Sequence, residues 1–274
     1  MNRSTRRGLI VGGAVVAVVV LVAAISAFVA FGGSDDDPEP VEPLNNAVLA
    51  TSKDLSCAIT GNTANGGDLY CWGYGGRGEL MLDDGQSTSL EPVQIKDLDF
   101  VTAVSIDPYG TVCAISRGDL YCWGANESGQ VGNGSTSRSV PAPTKVLGLT
   151  GVTAVSSAFE STCAVAGGLV YCWGSSDFQQ IPGTRNDTPV PVKIEGIDGA
   201  AGLANGGQTV CVLSGGGAYC WGSNNIDPLD DATRDSDLET PSRLPWFSEV
   251  SAVATSYQSH LRGRARRGLL LGRQ

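Results

Sequence analysis

Thr111-Val-Cys-Ala-Ile-Ser-Arg-Gly-Asp-Leu-Tyr-Cys-Trp-Gly124 decides the fold. Two short apolar runs flank Arg117-Gly118, the kind of dipeptide that closes a β-hairpin. Counting outward from it pairs Ser116 with Asp119, Ile115 with Leu120, Ala114 with Tyr121 and Cys113 with Cys122. Pairs in such a hairpin alternate between hydrogen-bonded and non-hydrogen-bonded, and the closing pair is bonded. The two cysteines therefore fall on a non-hydrogen-bonded site, with Cα atoms about 4.5 Å apart. That spacing lies within the reach of a disulfide, about 4.4–6.8 Å.

The same arithmetic holds elsewhere. Cys163 and Cys172 flank Gly167-Gly168, and Cys211 and Cys220 flank Gly215-Gly216. Cys57 and Cys71 enclose a longer loop, Gly61-Asn-Thr-Ala-Asn-Gly-Gly67. Each second cysteine opens a Cys-Trp-Gly, and the successive copies lie 51, 50 and 48 residues apart. A period near 50 marks a stacked or radial repeat architecture. Four local disulfides are expected, one per unit. Metal binding is the competing use of the cysteines, but C-x8-C on facing strands lacks a zinc knuckle, and the one histidine, His260, lies in the C-terminal tail.

With 37 Gly, 13 Pro and 7% aromatics the chain reads as many short strands and tight turns. Its 28 acidic residues all lie between residues 8 and 261, where only 10 basic residues accompany them. Such a body repels a phosphate backbone, so nucleic acid is not the expected partner.

Gly8 to Phe31 form 24 uncharged, mostly apolar positions. As a helix they would reach about 36 Å, enough to cross a bilayer core. Arg3, Arg6 and Arg7 precede the segment and Asp35, Asp36 and Asp37 follow it, so the positive-inside rule leaves the N-terminus cytoplasmic. Residues 1–7 are thus expected inside the cell, 8–31 as an uncleaved signal anchor, and 32–45 as an acidic, proline-rich spacer. The repeats are expected at 46–249, outside the cytosol. Cleavage as a signal peptide, giving a secreted body, is the alternative.

From Val101 to Gly134 the pattern Val101-Thr-Ala-Val, Cys113-Ala-Ile, Leu120-Tyr-Cys-Trp-Gly124 and Asn126-Glu-Ser-Gly-Gln-Val-Gly-Asn-Gly134 resembles the regulator of chromosome condensation repeat, in the cysteine-paired form of exported bacterial proteins. The resemblance covers roughly residues 46–260. It fades in the first and fourth units, where Gly-Gln-x-Gly becomes Gly78-Glu-Leu and Asn225-Ile-Asp, and the third unit has Gln179-Gln-Ile. It implies an all-β propeller, normally of seven four-stranded blades, with about four present here as an open arc. It also implies that Trp72, Trp123, Trp173 and Trp221 pack between blades.

Val250-Ser-Ala-Val-Ala254 begins a fifth unit, yet residues 260–274 read His-Leu-Arg-Gly-Arg-Ala-Arg-Arg-Gly-Leu-Leu-Leu-Gly-Arg-Gln. Back-translated with allowed codons and read one nucleotide later, that stretch becomes Thr-Cys-Ala-Val-Ala-Arg-Asp-Gly-Val-Tyr-Cys-Trp-Gly-Ala. Residues 250–274 are accordingly expected to be the start of a fifth repeat with a frameshifted tail, the alternative being a natural basic tail.

No catalytic residue, cofactor site or metal site is expected. The acidic run Asp227 to Glu239 lacks EF-hand spacing and reads as a solvated loop. The expected function is a membrane-anchored binding or scaffold module for a protein or cell-surface ligand. Nucleotide exchange on a GTPase, as in the family's namesake, is the alternative.

Overall fold

Each unit lays down four antiparallel strands, and its first hairpin turn sets their register. The computed structural model describes residues 48–61, 66–82, 86–223, 237–245, 250 and 252–255. The segments 1–47, 224–236 and 256–274, with the expected membrane anchor, acidic run and tail, lie outside the described residues. Among those described, no helix is long and apolar enough to cross a membrane.

The first blade is β1 (Val48–Thr51), β2 (Leu55–Thr60), β3 (Asp68–Tyr74) and β4 (Thr88–Gln94). The second is β5 (Val101–Ile106), β6 (Thr111–Ser116), β7 (Asp119–Ala125) and β8 (Ser139–Lys145). The third is β9 (Val152–Ala158), β10 (Ser161–Ala166), β11 (Leu169–Gly174) and β12 (Thr188–Lys193). The fourth is β13 (Ala200–Asn205), β14 (Thr209–Ser214), β15 (Gly217–Gly222) and β16 (Leu238–Arg243). Strands pair in chain order within each sheet. This is an all-β assembly of four-stranded antiparallel blades, an arrangement that leaves only short edges.

β6 and β7 pair Ser116 with Asp119, Ile115 with Leu120, Ala114 with Tyr121 and Cys113 with Cys122. Both turn residues are left-handed, Arg117 at φ 53° and Gly118 at φ 80°, which makes a type I′ turn. Arg117 holds this strained conformation while stacking over the Phe100 ring, 4.0 Å from its centroid. The third and fourth blades use glycine pairs at the same place.

Disulfides join Cys57–Cys71, Cys113–Cys122, Cys163–Cys172 and Cys211–Cys220. The bridge draws each pair of Cα atoms to 4.0–4.2 Å, a little closer than the open pair spacing counted from the turn.

These bridges lie in the core between blades. Side chains alternate across a strand, so each blade has two different faces. The leading face of the first blade presents Leu55, Cys57, Ile59, Leu69 and Cys71, and packs on Val112, Ala114 and Trp123 of the second. Cys113, Ile115, Leu120 and Cys122 then pack on Ala164 and Trp173 of the third. Cys163, Val165, Val170 and Cys172 pack on Val210, Val212 and Trp221 of the fourth. On the leading face of the fourth blade, Val250 and Val253 lie against Leu213, Ala218 and Leu244. Val250 N–H donates to Gly216 O, repeating the bonds from Val101 to Gly67 and from Val152 to Gly118 that start earlier first strands.

Burial of the sulfurs has a measurable consequence. Dithiothreitol added to the folded chain is expected to leave all eight cysteines oxidised, and to free eight once denaturant is added. Alkylation and mass spectrometry count them. Replacing Cys113 and Cys122 together by alanine is expected to cost about 2–4 kcal/mol in denaturant unfolding.

Candidate functional site

The turns after the first and third strands of every blade emerge at one end of the sheets. That end is the candidate interaction face, and it is built around the Cys-Trp-Gly mark. The glycine sits at a register shift in the third strand. Gly124 has φ 92°, and a Cβ there would lie 2.1 Å from Gly110 O. At Gly174 the corresponding clash is 2.3 Å, with Glu160 O. Without the side chain, the next residue can reach that same carbonyl: Ala125 N–H donates to Gly110 O and Ser175 N–H to Glu160 O.

The tryptophan before each glycine reaches back into the preceding blade. Trp123 Nε1–H donates to Glu79 O at 2.9 Å, Trp173 to Gln130 O at 2.8 Å and Trp221 to Gln180 O at 2.9 Å. All three rings are fully buried. Trp72, expected as a fourth core residue, is only half-buried, because no blade precedes it among the described residues.

The accepting residue stands at the Gly-Gln-x-Gly position, and its side chain holds its own turn. Gln130 Oε1 accepts from Ser128 N–H, Gln180 Oε1 from Phe178 N–H, and Glu79 Oε2 from Arg77 N–H. The elements that look degraded in the first and third units thus keep the same geometry. Asn126, which opens the run Asn126–Gly134 of the repeat pattern, is fully buried. It organises the long loop of the second blade, donating to Ser135 O and accepting from Val131 N–H.

Two carboxyls lie at these junctions. Glu79 replaces the glutamine, and burial holds its pKa above the usual value. Asp107 is fully buried and accepts from Tyr109 N–H and, across the blade junction, from Glu160 N–H at 2.7 Å. Burial pushes its pKa to about 6, against the pull of those two amides. At the next junction Asn205 takes the linking role, donating to Ser161 Oγ and accepting from Gly207 N–H. First strands are also stitched to each other: Ser157 N–H donates to Ser105 Oγ and Asn205 N–H to Ser156 Oγ.

Above this framework stand the groups open to a ligand. Tyr109 packs edge-on against Phe159, ring centroids 5.5 Å apart. Glu127, Asp177 and Asp187 are exposed, and Glu160 is half-exposed. Arg77 pairs with Glu127 from the neighbouring blade, and Arg185 with Asp237. The described residues contain no cluster of three or more His, Cys, Asp or Glu side chains that could hold a metal ion. The face is acidic and aromatic, and held rigidly by backbone bonds. It can recognise a surface.

The fold and this repeated junction define the class: a blade-repeat β-propeller of the regulator of chromosome condensation type. The Regulator of chromosome condensation (RCC1) repeat model matches residues 117–165. The matched segment runs from the hairpin turn of the second blade into the third. It is 25% identical over 120 residues, 42% of this chain and 11% of the relative, to the Homo sapiens probable E3 ubiquitin-protein ligase HERC6. Its fold is similar to human WBSCR16, with TM-score 0.63 at 21% identity, covering 82% of this chain and 58% of that one. It is also similar to yeast RCC1 (Prp20), solved bound to Kap60, with TM-score 0.61 at 19% identity, covering 75% and 50%. The chain thus spans a small part of the ligase and about half of each solved protein.

Two measurements probe the junctions. Replacing Trp173 by phenylalanine removes the buried donor to Gln130 O and is expected to cost about 1–3 kcal/mol, whereas the same change at Trp72 stays within about 0.5 kcal/mol. Glu79→Gln restores the residue found in the next two blades. A carboxyl with a raised folded pKa lowers stability as pH rises from its unfolded pKa through the folded one. The variant is therefore expected to exceed the wild type at neutral pH and to lose that advantage in acid. Urea midpoints across the pH range measure both effects.

Proposed function

We propose that the chain is a membrane-anchored, extracytoplasmic scaffold that binds a protein or cell-surface partner through its acidic loop face. The observation that carries this reading is the set of four fully buried disulfides, one per blade. Cross-links placed once per repeat suit an oxidising compartment, where thiols are not held reduced. The apolar stretch Gly8–Phe31, with arginines before and aspartates after, supplies the tether and the orientation.

The partner's chemistry follows from the face. Exposed Glu127, Asp177 and Asp187 and half-exposed Glu160 belong to the same loops as the Tyr109–Phe159 pair, a combination suited to a basic or amide-rich surface with an apolar anchor. A non-catalytic role accords with a face whose polar groups are committed to holding turns. Ligase activity belongs to the human relative as named, and this chain spans 11% of it. Exchange activity on a GTPase would require a cytosolic body, which the tether disfavours.

Location decides between these readings. Protease added to intact cells is expected to digest the repeats and to spare them when a membrane-impermeable inhibitor is present. A body protected in intact cells and cut only after lysis would overturn the extracytoplasmic reading.

A further inference from the structure

We propose that the trailing face of the first blade is a docking surface for the leading face of the fourth blade of a second copy of this chain. The three internal junctions specify what such a face takes. At each, a buried tryptophan donates to a turn carbonyl of the preceding blade, and a disulfide-bearing apolar sheet covers the ring.

The first blade presents the same device uncovered. Trp72 stands in the register place of Trp123, Trp173 and Trp221, facing Ser56 as they face Val112, Thr162 and Val210. It is half-exposed, and its indole N–H has no partner among the described residues. Tyr74 takes the place of the fully buried Ala125 and is 56% exposed. Leu90, next to the strand position facing Gly73, takes the place of Pro141 and Pro189 and is 90% exposed. Those two prolines lie under the turns of the preceding blades: a Cβ on Gly78 or Gly129 would come within 2.7 or 2.6 Å of their Cα atoms. Leu49 completes the patch at 40% exposure, where Val104, Val155 and Leu203 are half-buried. A half-exposed tryptophan and an exposed tyrosine on places that the second blade buries, with Leu90 more open than the half-buried Pro189, form an unfilled blade junction.

The chain itself carries the matching surface. The leading face of the fourth blade has the bridged Cys211 and Cys220 with Leu213, Ala218 and Leu244. Val250 and Val253 rest on it at the first-strand place, and among the described residues a backbone bond runs from Val250 N–H to Gly216 O at 3.2 Å. Ala252 and Ala254 of that segment are exposed. β1 of an incoming copy is the same kind of first strand and displaces it, bringing β2 and β3 with their tryptophan onto the sheet. The contact is heterologous, so copies join head to tail.

Sedimentation velocity of the full chain in detergent, over a range of concentration, tests this. Mass is expected to rise with concentration. Leu90→Asp, at a side chain that the fold leaves in solvent, is expected to weaken association by roughly tenfold or more, the equivalent of about 1.4 kcal/mol. Leu147→Asp, exposed on the opposite turns, should leave it intact. Val253→Asp loosens the resident segment and is expected to strengthen association. A chain monomeric at every concentration, association unchanged by Leu90→Asp, or association indifferent to Val253→Asp would each overturn the proposal.

Discussion

An indole N–H reaching a backbone carbonyl across an apolar junction is the interaction on which the rest of this structure depends. A turn carbonyl enclosed between two sheets loses its water and must be paired. Tryptophan supplies the donor and the bulk together, so one side chain both satisfies the turn and fills the gap between blades. The remainder of the repeat serves that contact. Gln130 and Gln180 use their side chains to fix the turn whose carbonyl is offered. Glycine follows the tryptophan because a loop carbonyl occupies the space its Cβ would need.

The disulfides belong to the same design. Each bridge crosses adjacent strands of one blade, yet its sulfurs are the surface on which the next blade's tryptophan face packs. A cystine there is a compact apolar filler as well as a cross-link. The polar links between blades sit at the loop end: Asp107 to Glu160, Asn205 to Ser161, and serine hydroxyls between first strands. They hold the loops in fixed relation, which is the condition for a loop face to present one surface to a partner. Burial raises the pKa of two carboxyls inside those junctions, Glu79 and Asp107.

Much of this was legible in the sequence because a hairpin is local. The register of β6 on β7, and hence the pairing of Cys113 with Cys122, follows from a two-residue turn and the period of a strand. The homologous role of Glu79 and Gln180 was not legible: Gly-Glu-Leu and Gln-Gln-Ile share no motif with Gly-Gln-Val-Gly. What they share is a side-chain oxygen that caps a turn and a main-chain carbonyl, and every residue has that carbonyl. The link between Asp107 and Glu160 was hidden for the same reason, since its donor is a backbone amide 53 residues away.

The sequence by itself determined the repeat, its strands and the cysteine partners, all of which depend on neighbours within one turn or one period. Only the tertiary structure decided which side of each blade meets the next. Strand alternation gives every blade two apolar faces, and nothing local says which faces forward. Packing resolves it: the cystine side lies ahead and the tryptophan side behind, so four identical Cys-Trp-Gly marks become three buried joints and one exposed at Trp72.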